Sequence, residues 1–283
     1  MTNRAQVLRE VQQDGEALRL YVAEFRSDRE IVLAAVKQEG DALMYASEDL
    51  KNDREIVLAA VKQNGGILYA ARELRNDKEI VLAAVKQKGD ALRYASEDLK
   101  NDREIVLAAV KQQGYALLYA SDDLKRDREI VLTAVKQEAR AFDKHSSNEP
   151  IRFVCPDLRA NKEFVLAAVR LDGRVLRHVS QDLRRDREVV MAAVKRDGLV
   201  ICLAPQKYRN DKEIVLEAVK QTARTILYVS NDLMTDGEIV LAAVQAGLLS
   251  CADIPKDYRN GVVLLLLGIQ TPLIGRGKSK QQY

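Results

Sequence analysis

Ile31, Val32, Ala35 and Val36 share one side of a helical wheel with Leu33 at their flank, while Glu30 and Lys37 fall together on the opposite side. The same alternation of apolar and polar positions returns along the chain, which predicts one amphipathic helix per return. Taking the Asp of Asp-Arg-Glu as the start, units open at Asp28, Asp53, Asp77, Asp102, Asp127, Asp186, Asp211 and Asp236, with Asn161 in the same slot. The spacing is 25 residues, once 24 and once 34. A worn first unit begins at Asn3, since Val7, Leu8, Val11 and Gly15 match Val32, Leu33, Val36 and Gly40, and a partial unit begins near Gly261. No such unit can bury its apolar face alone, so neighbouring copies must complete the core.

Within a unit, Asn52 and Glu55 have the spacing of a capping box that opens the helix. Gly40, repeated as Gly65, Gly89, Gly114, Gly173 and Gly198, stands where a left-handed cap would close it. The following stretch, "DALMYASEDL", places Ala42, Leu43, Ala46 and Leu50 at the spacing of a second, shorter helix. Apolar residues do not alternate as in strands. The fold expected is all-α: an α-solenoid of about ten tandem 25-residue helix-turn-helix repeats. Residues 1–270 form a single repeat domain with a long inserted loop at 139–150, and residues 271–283 form a basic flexible tail.

Composition narrows the picture. Of the 283 residues, 47% are apolar, enough for a packed core. The longest apolar run, Val262 to Leu267, falls far short of the roughly 20 residues that span a bilayer, so no membrane contact is expected. The start of the chain lacks the pattern of a secretory signal. Three widely separated cysteines, Cys155, Cys202 and Cys251, suit neither a disulfide framework nor a metal site. A reducing, cytoplasmic setting follows, with no cofactor and no metal. The net charge of +3 gives a weak overall field, so binding to a polyanion would need a local patch.

The strings Asp-Arg/Lys-Glu-Ile/Val-Val-Leu-Ala-Ala-Val-Lys-Gln and Tyr-Ala-Ser-Glu/Asp-Asp-Leu, over residues 15 to 260, resemble a bacterial and protist repeat family catalogued as domain of unknown function 4116. That resemblance carries no activity over to any residue. It implies an effector or effector-regulating role, with delivery into a host cytosol by a specialised secretion system. The long loop in the unit opening at Asp127 and the basic tail depart from the family pattern.

Nothing in the sequence assembles a catalytic site. His178 occupies the slot of Tyr45, Tyr69, Tyr94, Tyr119 and Tyr228 and reads as a substitute in a packing ladder. His145 lies in the insertion beside Asp143, Ser146 and Ser147, on a loop that offers no fixed geometry. Acidic pairs such as Glu48 and Asp49 recur too often to be general acid and base. Glu30 and Lys37, with their equivalents, complement the helix dipole. Gly277, Lys278 and Ser279 lack the strand and helix that a phosphate loop needs. The chain is therefore expected not to be an enzyme.

Between near-identical copies, the positions that vary say most about binding. One column runs Asp41, Asp90, Tyr115, Glu149, Arg174, Leu199, Arg224; the other runs Met44, Leu68, Arg93, Leu118, Arg152, Arg177, Cys202, Leu227. Three residues apart on a helix, they form one strip. It is either a partner-reading groove or drift at exposed positions. On the first reading, Arg93, Tyr115, Leu118, Arg152, Arg174, Arg177, Arg224 and, from the adjoining loop, His145 bind a protein partner, an acidic one, with Tyr115 as anchor. The alternative is phosphoanion or nucleic-acid binding by Arg152, Arg174, Arg177 and Arg224, which the absence of interleaved aromatic residues disfavours. Partner identity and oligomeric state stay open.

Overall fold

The computed structural model describes residues 3–64, 70–140, 151, 154–234 and 236–247. His145, Arg152, Leu68, Glu149, most of the inserted loop and the basic tail lie outside them. The chain gathers into two compact units, residues 1–159 and 160–283, and each is described by itself.

No strand occurs among the described residues, and the expected helical repeat is what the structure shows. The long helices of the first unit are α1 (Arg4–Gln13), α2 (Arg29–Gln38), α3 (Arg54–Asn64), α4 (Lys78–Gln87), α5 (Arg103–Gln112) and α6 (Arg128–Arg140). Those of the second are α7 (Lys162–Leu171), α8 (Arg187–Arg196), α9 (Lys212–Gln221) and α10 (Gly237–Gln245). Within each unit every long helix packs on the next. The residues read as the apolar stripe form the core: Ile31, Val32, Ala35 and Val36, like Ile105, Val106, Ala109 and Val110, are completely buried. The paired alanines let adjacent helices approach closely.

The second element of the repeat is divided. A 3-10 helix comes first, as at Gly40–Tyr45, and a separate short helix follows, as at Glu48–Lys51. Between them Ala46 is extended, and the serine after it opens the short helix. In the equivalent place the Ser96 hydroxyl oxygen accepts from the N–H of Leu99, the bond that favours a new helix start over continuation.

Two expectations about helix ends are corrected. The N-cap is the aspartate, not the asparagine before it: Asp53 Oδ1 accepts from the N–H groups of Glu55 and Ile56 at 3.0 and 3.1 Å. The asparagine instead ties repeats together, since Ser96 Oγ donates to Asn76 Oδ1 and Ser121 Oγ to Asn101 Oδ1, both at 2.6 Å. Nor does the glycine form a left-handed cap. Among the described residues only Gly247 has positive φ, and the long helices end on extended residues such as Glu39 and Gln113. The glycine is there for closeness. A Cβ at Gly15, Gly89 or Gly198 would stand 2.5 Å from the carbonyl oxygen of Ala35, Ala109 or Ala218 in the next repeat. Where Ala139 fills the slot, α6 runs on to Arg140, into the segment read as a loop.

A charge ladder joins the repeats. Arg29 of α2 donates from Nε to Asp53 Oδ2 at 2.9 Å and from its terminal nitrogen to Glu55. Arg4, Arg54, Lys78 and Arg103 make the same pairs in the first unit, and Lys162, Arg187 and Lys212 in the second. Each aspartate thus divides its carboxylate, with Oδ1 closing its own helix and Oδ2 holding the preceding repeat. These ion pairs are exposed and each contributes little to stability; what they define is register.

Candidate partner-binding surface

On a 3-10 helix, residues three apart lie directly above one another. The divided second element therefore aligns the two varying columns more closely than an α-helix would. Ala42 and Leu43 turn inward and are buried, as are Ala116 and Leu117, so the residues on either side of each pair face outward. Met44, Arg93, Leu118, Arg177, Cys202 and Leu227 are all exposed.

In the first unit, Arg93 and Tyr115 with Leu118 sit on the adjacent 3-10 helices Gly89–Tyr94 and Gly114–Tyr119, which pack on each other. The Arg93 guanidinium lies 4.3 Å from the centre of the Tyr94 ring, a cation–π contact. Tyr115 is half-buried, and its burial, with the Asp90 carboxylate nearby, raises its pKa. It stays a neutral phenol, able to donate a hydrogen bond from a largely apolar ring.

In the second unit, Arg174, Arg177 and Arg224 lie on Gly173–Arg177 and Ala223–Tyr228, with Leu199 and Cys202 on Gly198–Leu203 between them. Arg174 is already engaged: its Nε donates to Asp172 Oδ1 at 3.0 Å and its terminal nitrogen to Oδ2 at 2.7 Å. One cation of the cluster is thereby neutralised within its own repeat. Arg224 is exposed. His145 and Arg152 fall outside the described residues.

The tyrosine slot is less enclosed than the buried stripe. Tyr45, Tyr94, Tyr119 and His178 are half-buried and Tyr228 is 44% exposed, so the column borders the strip. Among the described residues, six of the eight large apolar side chains left exposed, Leu20, Met44, Leu118, Leu199, Leu227 and Tyr228, lie on 3-10 helices. Variation among copies was the legible signal for two of these columns; for the tyrosine column, Leu20, His178 and Leu203 in the same slot carried it.

Among the described residues no cluster of His, Cys, Asp or Glu could hold a metal ion. No helix there is long and apolar enough to cross a membrane. The carboxylates that open the long helices act as caps and ladder partners.

The family model described as a domain of unknown function (DUF4116) matches seven segments: residues 7–51, 28–75, 53–100, 102–150, 147–184, 186–234 and 211–259. Most segments span two of the units defined above. No curated protein and no solved structure matches the chain. With matches that run from residue 7 to residue 259 and tile the same helical repeat, the chain belongs to the DUF4116 domain family.

Proposed function

We propose that the protein is a non-enzymatic scaffold that binds a protein partner through the strip of varying positions on its 3-10 helices, with the inserted loop as part of the binding face. The observation that carries this reading is the convergence of exposed apolar side chains on that strip: Met44 and Leu118 in the first unit, Leu199 and Leu227 in the second. Water-exposed apolar side chains gathered on one strip are what a partner's apolar residues would cover. Tyr115 and Arg93 supply aromatic and cationic anchors beside Leu118, and Arg177 and Arg224 supply charge beside Leu199. Free Cys155 and Cys202 fit a reducing cytoplasm, where a bacterial effector or effector regulator would act.

The test is quantitative capture by the full chain from cytosol of the source cell and of a host cell. Tyr115→Ser/Leu118→Ser and Leu199→Ser/Leu227→Ser are compared with Glu97→Ser/Asp98→Ser, which changes an exposed edge elsewhere on the repeat. We expect a protein retained by wild type and by the edge variant to fall at least about tenfold with one of the strip variants, given the weight of central apolar anchors. Equal capture by all four proteins refutes the strip.

A further inference from the structure

The long helices present a second surface, across the buried stripe from the 3-10 helices, and its charges are not balanced. Along α2, Glu30, Leu33 and Lys37 follow one another at spacings of three and four residues, so acid, apolar and basic rows run side by side across successive repeats. The acidic row is engaged, since Glu30, Glu55, Glu79, Glu104 and Glu129 each pair with the ladder cation of the preceding repeat. Lys37, Lys62, Lys86, Lys111 and Lys136 are exposed and, among the described residues, make no ion pair. Dipole complementation accounts for one cation per helix end but not for leaving the entire row without anions on a chain this rich in carboxylates.

Between the charged rows the leucines are only half covered: Leu33, Leu58, Leu82, Leu107 and Leu132 lie at intermediate burial. The surface is also indented there. A depression between α1 and α2 is lined by Leu8, Leu33, Ala34 and Lys37. One at the same repeat positions lies between α7 and α8 in the second unit, lined by Arg170, Met191, Ala192 and Lys195. The two depressions thus occupy equivalent repeat positions, one in each unit.

We infer that the long-helix face of the first unit is a second docking surface, and that its occupant is an acidic amphipathic helix supplied by a partner protein and lying across the long helices. Packed helices stand about 8–10 Å apart, and seven residues of an α-helix advance about 10.5 Å. A helix with an apolar residue at every seventh position would seat one side chain over each leucine of the row. Carboxylates at every seventh position along its neighbouring edge would meet the lysines in step. Drift of about 20° per heptad limits such a match to a few repeats at a time.

The test uses a labelled synthetic helix of about three heptads, with Leu and Glu each at every seventh position on adjacent edges and Ala elsewhere. Its controls are a scrambled peptide of the same composition and duplex DNA. We expect saturable binding of the heptad peptide that weakens about tenfold or more in Lys62→Gln/Lys86→Gln/Lys111→Gln, as the loss of several exposed pairs predicts, and weakens also in Leu82→Ala/Leu107→Ala at unchanged helicity. Tyr115→Ser/Leu118→Ser should leave it unaltered, which separates this surface from the strip. The inference is overturned if the heptad peptide does not bind or if the strip variant abolishes its binding. It is equally overturned if scrambled peptide or DNA binds as well with the same lysine dependence, the mark of a general polyanion surface.

Discussion

Gly198 and Gly247 are glycines for opposite reasons. Gly198 has an ordinary backbone, but a Cβ there would stand 2.5 Å from the Ala218 carbonyl oxygen, so it marks where two repeats come closest. Gly247 has open space around the missing Cβ and φ of 97°, so it marks a turn. Gly198→Ala should destabilise by about 1–3 kcal/mol through overpacking, and Gly247→Ala by about 1 kcal/mol through backbone strain alone. Urea unfolding monitored by helicity distinguishes them. Equal costs would mean that the close approach relaxes freely; Ala223, buried in the equivalent slot one repeat on, marks one position where the array has made room for a methyl group. Periodicity in a single chain reveals that these glycines recur but not which neighbour they face, and for that reason a left-handed cap was the natural expectation.

At the scale of elements, the long helices were legible because their apolar positions and N-terminal signals agree. The break in the second element was not, because Ala42, Leu43, Ala46 and Leu50 also satisfy an unbroken helix. Ser47, followed by Glu48 and Asp49, was the available signal: serine ahead of acidic residues is a helix start. The ladder was hidden because it joins residues about two dozen positions apart. Its aspartates nevertheless make a sharp prediction. Asn161 caps α7 by accepting from Phe164 N–H at 2.9 Å, so asparagine can close the helix. Asp102→Asn should therefore cost clearly less than Asp102→Ala, which loses the cap as well, worth about 1 kcal/mol.

These same carboxylates impose a pH dependence. In Asp28 and Asp186 the hydrogen bond from Arg4 or Lys162 lowers the pKa against partial burial. In Asp53, Asp102 and Asp211 burial opposes ionisation but is outweighed by the ladder cation and the capped N–H groups. A carboxylate that titrates lower in the folded chain stabilises it fully above the unfolded value, about 3.9, and that stability is lost as pH falls through this value toward the folded one. The urea midpoint should be level from neutral pH down to about pH 5 and drop below about pH 4. A midpoint that held steady through that range would remove the ladder from the account of stability.

At the scale of the molecule, the first repeat is unlike the rest on its outward side. Asn3, Ala5, Gln6 and Glu10 stand where α2 has Asp28, Glu30, Ile31 and Ala35. Gln6 and Glu10 are exposed and bonded to each other at 3.0 Å. Tyr21 also donates to Glu10, which pushes the phenol up to about 12. The positions that in later repeats meet the preceding one, both apolar and acidic, are here polar or neutral. Restoring them with Asn3→Asp/Ala5→Glu/Gln6→Ile/Glu10→Ala should produce concentration-dependent association in analytical ultracentrifugation beyond that of wild type. Unchanged sedimentation would mean that these four positions do not govern association.

The divided carboxylate has a consequence for how such a chain can change over generations. Within each unit the cation of one repeat meets the aspartate and glutamate of the next, and Arg54 still reaches Asp77 at 2.8 Å across the spacing shortened to 24 residues. Duplicating or losing a whole repeat leaves every joint matched, whereas cutting within one orphans a carboxylate and a cation together. Array length is thus free to vary in whole steps by recombination between near-identical copies, and each added copy brings two outward positions on which selection can write.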